Sequence, residues 1–180
     1  LFRDAQLWQS FGLSLKISLL STLIVVIIGT LGAMGLTRYR FFGRNALTYS
    51  VYLPMIVPGV VFAVPLMALL VLMGLKKGFW AVVLGNVILM LPYMILTVRT
   101  RFLGLDRSVE EASMDLGASG VETFFRITLP LMCPSVKIVA VTGLIGGMKA
   151  FDVIYSMTSG GPGDATQTVM MVMMRKGISD

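Results

Sequence analysis

The chain has no histidine and a single cysteine, Cys133. The first absence removes the commonest general base and metal ligand, which argues against hydrolytic or metal chemistry. The second excludes an internal disulfide. Charge is also scarce. Only 13% of the 180 residues are Asp, Glu, Lys or Arg, where a soluble domain carries about 25%. In their place stand apolar residues, at 56%, and that balance reads as a membrane protein in contact with lipid. A net charge of +6 could point to nucleic acid, but the Lys and Arg are scattered between apolar runs, as topology signals are, and no nucleic-acid partner is expected. There is no phosphate-binding glycine loop, internal repeat or low-complexity linker, and the chain reads as one domain over residues 1–180 with no cofactor.

A spanning helix needs about 20 apolar residues. Ile17 to Leu36 is uncharged, as are Asn45 to Leu75 and Gly78 to Val98, while Ile138 to Met157 is interrupted by Lys149 and Asp152. Four spans are expected, at about 13–36, 47–74, 78–98 and 136–157, with a loop over 99–135. The stretch Ala165 to Met174 is too short to cross. Eight basic residues (Arg38, Arg40, Arg44, Arg99, Arg101, Arg107, Arg126, Lys137) lie on one side. Five (Arg3, Lys76, Lys77, Arg175, Lys176) lie on the other. That bias places both termini outside and the 99–135 loop in the cytoplasm. In the second span Pro54, Pro58 and Pro65 each remove a backbone donor, so a kinked helix lining a wet pathway is expected there, against a kink that serves packing alone.

The 99–135 loop contains two Ser-x-x-Glu patterns, Ser108 with Glu111 and Ser119 with Glu122, each the signature of a capping box. They predict a helix from Val109 to Leu116, closed by Gly117 in a left-handed cap, and a second through Phe124 and Ile127 that stops before Pro130. The first helix would be about 12 Å long. Arg107 can pair with Glu111, Glu111 and Asp115 share one face, and Ala112 and Leu116 share another. Helices that lie on lipid favour Lys and Arg on the polar face, but Val109 to Leu116 holds three acids and no base. A protein partner is the expectation.

Glu111-Ala112-Ser113, three residues, Gly117, nine residues and Ile127-Thr128-Leu129-Pro130 resemble the E-A-A-x3-G-x9-I-x-L-P signature. That signature marks the permeases of binding-protein-dependent ABC importers, and Ser113 for the second Ala is the one departure. The resemblance implies an all-α membrane protein, a polytopic helical bundle of the type I importer transmembrane domain in a bacterial inner membrane. It implies a transport subunit rather than an enzyme. The partners it implies are ABC ATPase subunits, a second permease copy or homologous permease, and a periplasmic solute-binding protein. By the same resemblance Glu111, Ala112, Ser113, Asp115, Leu116, Gly117 and Ala118 dock the ATPase, with Ile127, Leu129 and Pro130 anchoring the loop to the next span. Members of the family have about six spans, so the chain is expected to be a domain truncated at both ends.

The solute is read from resemblance too. Leu53-Pro54 with Val57-Pro58-Gly59-Val60, and Asp115-Leu116-Gly117-Ala118-Ser119, look most like the polyamine (spermidine/putrescine) branch. Phe151-Asp152-Val153-Ile154-Tyr155 and Thr158-Ser159-Gly160-Gly161-Pro162 are closer to sugar and glycerol-phosphate permeases. The polyamine branch is favoured. Asp152 is a candidate for meeting a cation in the pathway, against snorkelling to the interface or pairing with Lys149. An ATP-independent channel or secondary transporter would need an ion-coupling carboxylate within a span and would leave the long loop without a role. A membrane-tethered DNA-binding helix-turn-helix is disfavoured by Val121, Phe124, Phe125 and Ile127 in the second helix.

Overall fold

The computed structural model describes residues 5–179, and every regular element among them is a helix. The first, α1 (Ala5–Arg38), is the longest. Its buried positions include Ser14, Ser18, Ser21, Val25, Gly29, Ala33 and Leu36, which recur every three or four residues. They form one stripe of mostly small side chains, which lets two helix backbones come close. The stripe packs against α4 (Phe79–Leu103) and α7 (Leu129–Lys149). Gly29 faces Met94 of α4, and Gly147 of α7 faces Ser18 so closely that an added Cβ would lie 3.2 Å from the Ser18 Cα. Ser21 donates a hydrogen bond to the Val83 carbonyl of α4 at 3.3 Å. Ile17, Val25, Met94, Val98, Phe102 and Met132 fill the core between the three helices.

The proline-rich run is not one straight helix. It forms α2 (Arg44–Ile56) and α3 (Gly59–Leu72), bent by 117° at the break. Val57 precedes Pro58 and takes an extended conformation, φ −88°, ψ 129°, as the proline ring requires of its neighbour. Pro54 and Pro65 stay inside α2 and α3 respectively. Among the described residues three helical stretches, α1, α4 and the continuous run 120–149, are long and apolar enough to cross a membrane. The bent pair is a fourth if it counts as one span.

The fourth apolar stretch also departs from the sequence expectation. Its helix begins at Gly120 as α6 (Gly120–Thr123), passes through a π-helical segment (Phe124–Thr128) and continues as α7 without stopping before Pro130. The amide of Leu129 donates to the Phe124 carbonyl, five residues back. That wide turn resets the ladder, so Pro130 falls in the first turn of α7, where a missing N–H costs little. At the other end α7 stops at Lys149, and Asp152 opens a separate short helix, α8 (Asp152–Thr158). The segment after α8 is tucked against α1. Thr158 and Thr166 hydroxyls meet at 2.7 Å, and the amide of Val169, which opens α9 (Val169–Ser179), donates to Ser14 Oγ at 2.9 Å.

Candidate functional site

Two features stand out, a cavity within the bundle and the loop beyond α4. The cavity, about 660 Å³, opens between the α2–α3 bend, the inner face of α4 and the glycine face of α7. Pro54 and Pro58 line it, as the sequence suggests, together with Asn86, Tyr93, Thr142 and Gly147. Asp152 does not. It is exposed at the start of α8, while its neighbour Val153 reaches the cavity. No lining residue carries a charge. Asn86 is buried, and its Nδ2 finds no acceptor among the described residues. A buried polar group without a partner is costly in a fold and is often kept for a functional reason. The sequence offered no sign of Asn86, which sits in an apolar run with nothing to distinguish it.

The loop carries α5 (Ser108–Asp115), and none of its residues is buried. Its start differs from the expected capping box. Ser108 is the first helical residue, and its amide donates to Asp106 Oδ1 at 2.9 Å. Asp106 competes successfully because an Asx side chain two residues upstream reaches the free amide directly. Its carboxyl is held below the ordinary range by the Ser108 backbone amide and then by the Ser108 side chain. The end of α5 is as expected. Gly117 takes φ +93°, its amide donates to Met114, and the Ala118 amide donates to Ser113. Those two bonds close a Schellman cap.

The second capping box is complete. The Ser119 amide donates to Glu122 Oε2 at 2.9 Å, and the Glu122 amide donates to Ser119 Oγ at 3.3 Å. This bonding, first from the Ser119 amide and then from its hydroxyl, holds the Glu122 carboxyl below the ordinary range. Ser113 and Thr123 hydroxyls meet at 3.2 Å and hold α5 against α6.

Of the α5 residues singled out by sequence, Ser113 is half-buried against Thr123, while the others are exposed. Glu111 pairs with Arg107 at 3.0 Å, with both side chains more than half exposed (54% and 63%). Ala112 and Asp115 are exposed, and Leu116 is 90% exposed. Ala118 is half-buried. Ile127 lies in the π-helical segment, and Leu129 and Pro130 lie in the first turn of α7.

Glu110, which the sequence did not single out, turns the other way. Its Oε2 lies 3.0 Å from Nε of Arg38, the last residue of α1, and its Oε1 accepts from Thr128 Oγ1 at 2.9 Å. The Arg38 guanidinium stands over the ring of buried Phe102, near the end of α4, 5.5 Å from its centroid. Both members of the ion pair are 13% exposed.

A family model described as the inner membrane component of binding-protein-dependent transport systems matches residues 6–178. The spermidine/putrescine transport system permease protein PotC of Haemophilus influenzae is 38% identical over 76% of this chain and 53% of its own length. The putrescine transport system permease protein PotI of Escherichia coli is 32% identical over 99% of this chain and 66% of its own length. The molybdenum transport system permease protein ModB of Escherichia coli is 31% identical over 92% of this chain and 78% of its own length. The chain spans about half the length of the spermidine/putrescine relative. On the strength of the match over 6–178, with helices of crossing length around a cavity, the chain belongs to the inner-membrane components of binding-protein-dependent transport systems.

Proposed function

We propose that this chain lines the pathway of an ATP-driven solute importer and that α5 is the helix on which a cytoplasmic ATPase subunit docks. The observation that carries this reading is α5 itself. It is a capped, rigid helix with no buried residue, an outward acidic face at Glu111 and Asp115, and an apolar tip at Leu116. Such a knob leaves its own fold little buried area and offers a groove on a partner both charge and shape. The chain would act as a transport subunit and leave hydrolysis to the ATPase. A second permease copy or a homologue would complete the pathway, and a periplasmic binding protein would deliver the solute. Ile127, Leu129 and Pro130 join the docking loop to α7, Pro58 sets the bend that borders the cavity, and Pro54 lines it from α2.

The test is co-purification of the full permease with its cognate ATPase, comparing the parent with Glu111→Lys and Gly117→Asp. Charge reversal on the docking face, or a side chain at φ +93°, is expected to abolish capture while the permease remains folded. Both variants retaining ATPase and uptake would sink the assignment.

For the solute, two relatives named for spermidine and putrescine support a polyamine. The uncharged cavity lining is the observation that favours a neutral solute, as in sugar permeases, since it holds no carboxylate for an amine. Uptake of labelled putrescine against labelled maltose in cells expressing the complete system separates the two. The polyamine reading requires putrescine uptake that depends on ATP.

A further inference from the structure

We propose that Glu110 is a positioning residue that clamps the docking helix to the membrane helices, so that displacement of α5 is delivered to α1, α4 and α7 together. This rests on the reading of α5 as the ATPase-docking helix. It assigns to the loop a second, inward-facing half that the docking residues do not supply.

A helix that transmits a pull must grip what it pulls. No residue of α5 is buried, so apolar packing gives it little purchase on the bundle. The grip is instead polar and concentrated. One Glu110 carboxylate meets Arg38 at the end of α1 through Oε2 and Thr128 at the head of α7 through Oε1. Arg38 in turn lies over Phe102 of α4. Two crossing helices thus meet one side chain of α5 directly, and a third is reached through Arg38. At 13% exposure the pair is shielded from solvent screening, which distinguishes it from the Arg107–Glu111 pair one residue along. Helical rotation of about 100° per residue sets the two glutamates to different work. Glu111 faces the partner, and Glu110 faces the bundle. Arg38 Nε and Nη2 are both buried without a hydrogen-bond acceptor among the described residues, so the contact with Glu110 is an ion pair by proximity, and the guanidinium has donor capacity left for another arrangement of the same groups.

The experiment uses the complete permease bound to its ATPase, with Cys133→Ala and spin labels at Val109→Cys on α5 and Arg40→Cys just beyond α1. In the parent the label separation is expected to keep one narrow distribution with and without ATP, because α5 and α1 move as a body. In Glu110→Gln and in Thr128→Val it is expected to broaden or shift on ATP binding. Putrescine taken up per ATP hydrolysed in proteoliposomes is expected to fall by about fivefold or more.

The double variant Arg38→Met with Glu110→Gln separates transmission from folding. It removes the unpaired charge, so thermal stability should return towards the parent while the label separation still responds to ATP. If the double variant regains both stability and the fixed separation, the clamp is only structural and the inference is wrong. Single variants that keep the fixed separation and the parental uptake per ATP would also overturn it, as would a parent whose own separation shifts on ATP binding. A parent that fails to capture its ATPase on co-purification overturns the docking reading, and this inference with it.

Discussion

Glu110 and Glu111 each meet an arginine at 3.0 Å, yet breaking the two ion pairs is expected to cost amounts that differ by several kcal/mol. Glu110→Gln leaves the Arg38 charge buried without its counter-ion, which costs about 3–5 kcal/mol in comparable sites. Arg107→Ala removes only an exposed i, i+4 pair, worth about 0.3–0.5 kcal/mol. Unfolding of the purified permease in detergent, followed by a thiol-reactive dye at Cys133, checks the order. Equal losses at the two sites would show that the inner pair is solvated. The same contrast explains what the sequence could reveal. The Arg107–Glu111 pair was legible because helical spacing is local. Arg38 and Glu110 lie on elements far apart in the chain, and nothing in the spacing of either anticipates their meeting.

A second residue-scale expectation concerns Gly147. An added Cβ there would lie 2.8 Å from Ser18 Oγ and 3.2 Å from its Cα. The hydroxyl can rotate away, but the backbone of α1 cannot. Gly147→Ala is therefore expected to destabilise by about 1–3 kcal/mol, the usual cost of overpacking. Gly146→Ala, whose Cβ would meet nothing within 4 Å, is expected to be neutral or slightly stabilising through helix propensity. Thermal unfolding of the two variants side by side distinguishes them.

At the scale of elements, the loop between α4 and α7 depends on two carboxylates that accept backbone amides. Asp106 caps α5, and Glu122 closes the box at α6. Both are held below the ordinary carboxylate range in the folded loop, chiefly by those backbone bonds. Their folded values lie beneath their unfolded ones, so the stabilisation is complete above the unfolded range. It is lost as pH falls through that range to the lowered values. Hydrogen exchange at the amides of Ser108 and Ser119, corrected for intrinsic rate, should show constant protection from neutral pH down to the ordinary carboxylate range and a decline below it. Protection that instead falls as pH rises would reverse the sign and exclude these caps.

Element boundaries were legible where a local signal fixes them, as at Gly117 and Ser119. They were missed where one residue answers to two constraints. Pro130 reads as a stop, but a π turn of five residues moved it into a first turn. Pro58 reads as a kink within one span, but with Val57 extended before it the chain turns through 117°.

At the scale of the whole molecule, the cavity sets stability against function. Composition predicts membrane helices and the proline run predicts a kink, but the convergence of α2, α3, α4 and α7 on one space follows only from tertiary packing. Asn86 is the residue on which that convergence bears most directly. It is buried, its Nδ2 has no acceptor among the described residues, and it lines a space whose other polar groups are Tyr93 and Thr142. An unsatisfied amide of this kind costs a fold about 1–3 kcal/mol, and replacing it with an apolar group of similar shape removes that cost. Asn86→Leu is therefore expected to raise the thermal midpoint of the purified permease while lowering ATP-driven solute uptake, because the amide is then unable to meet solute. If stability rises and uptake is unchanged, Asn86 is not on the pathway. If stability falls, the amide already has a partner in the membrane, and the cavity must be assigned by its other residues.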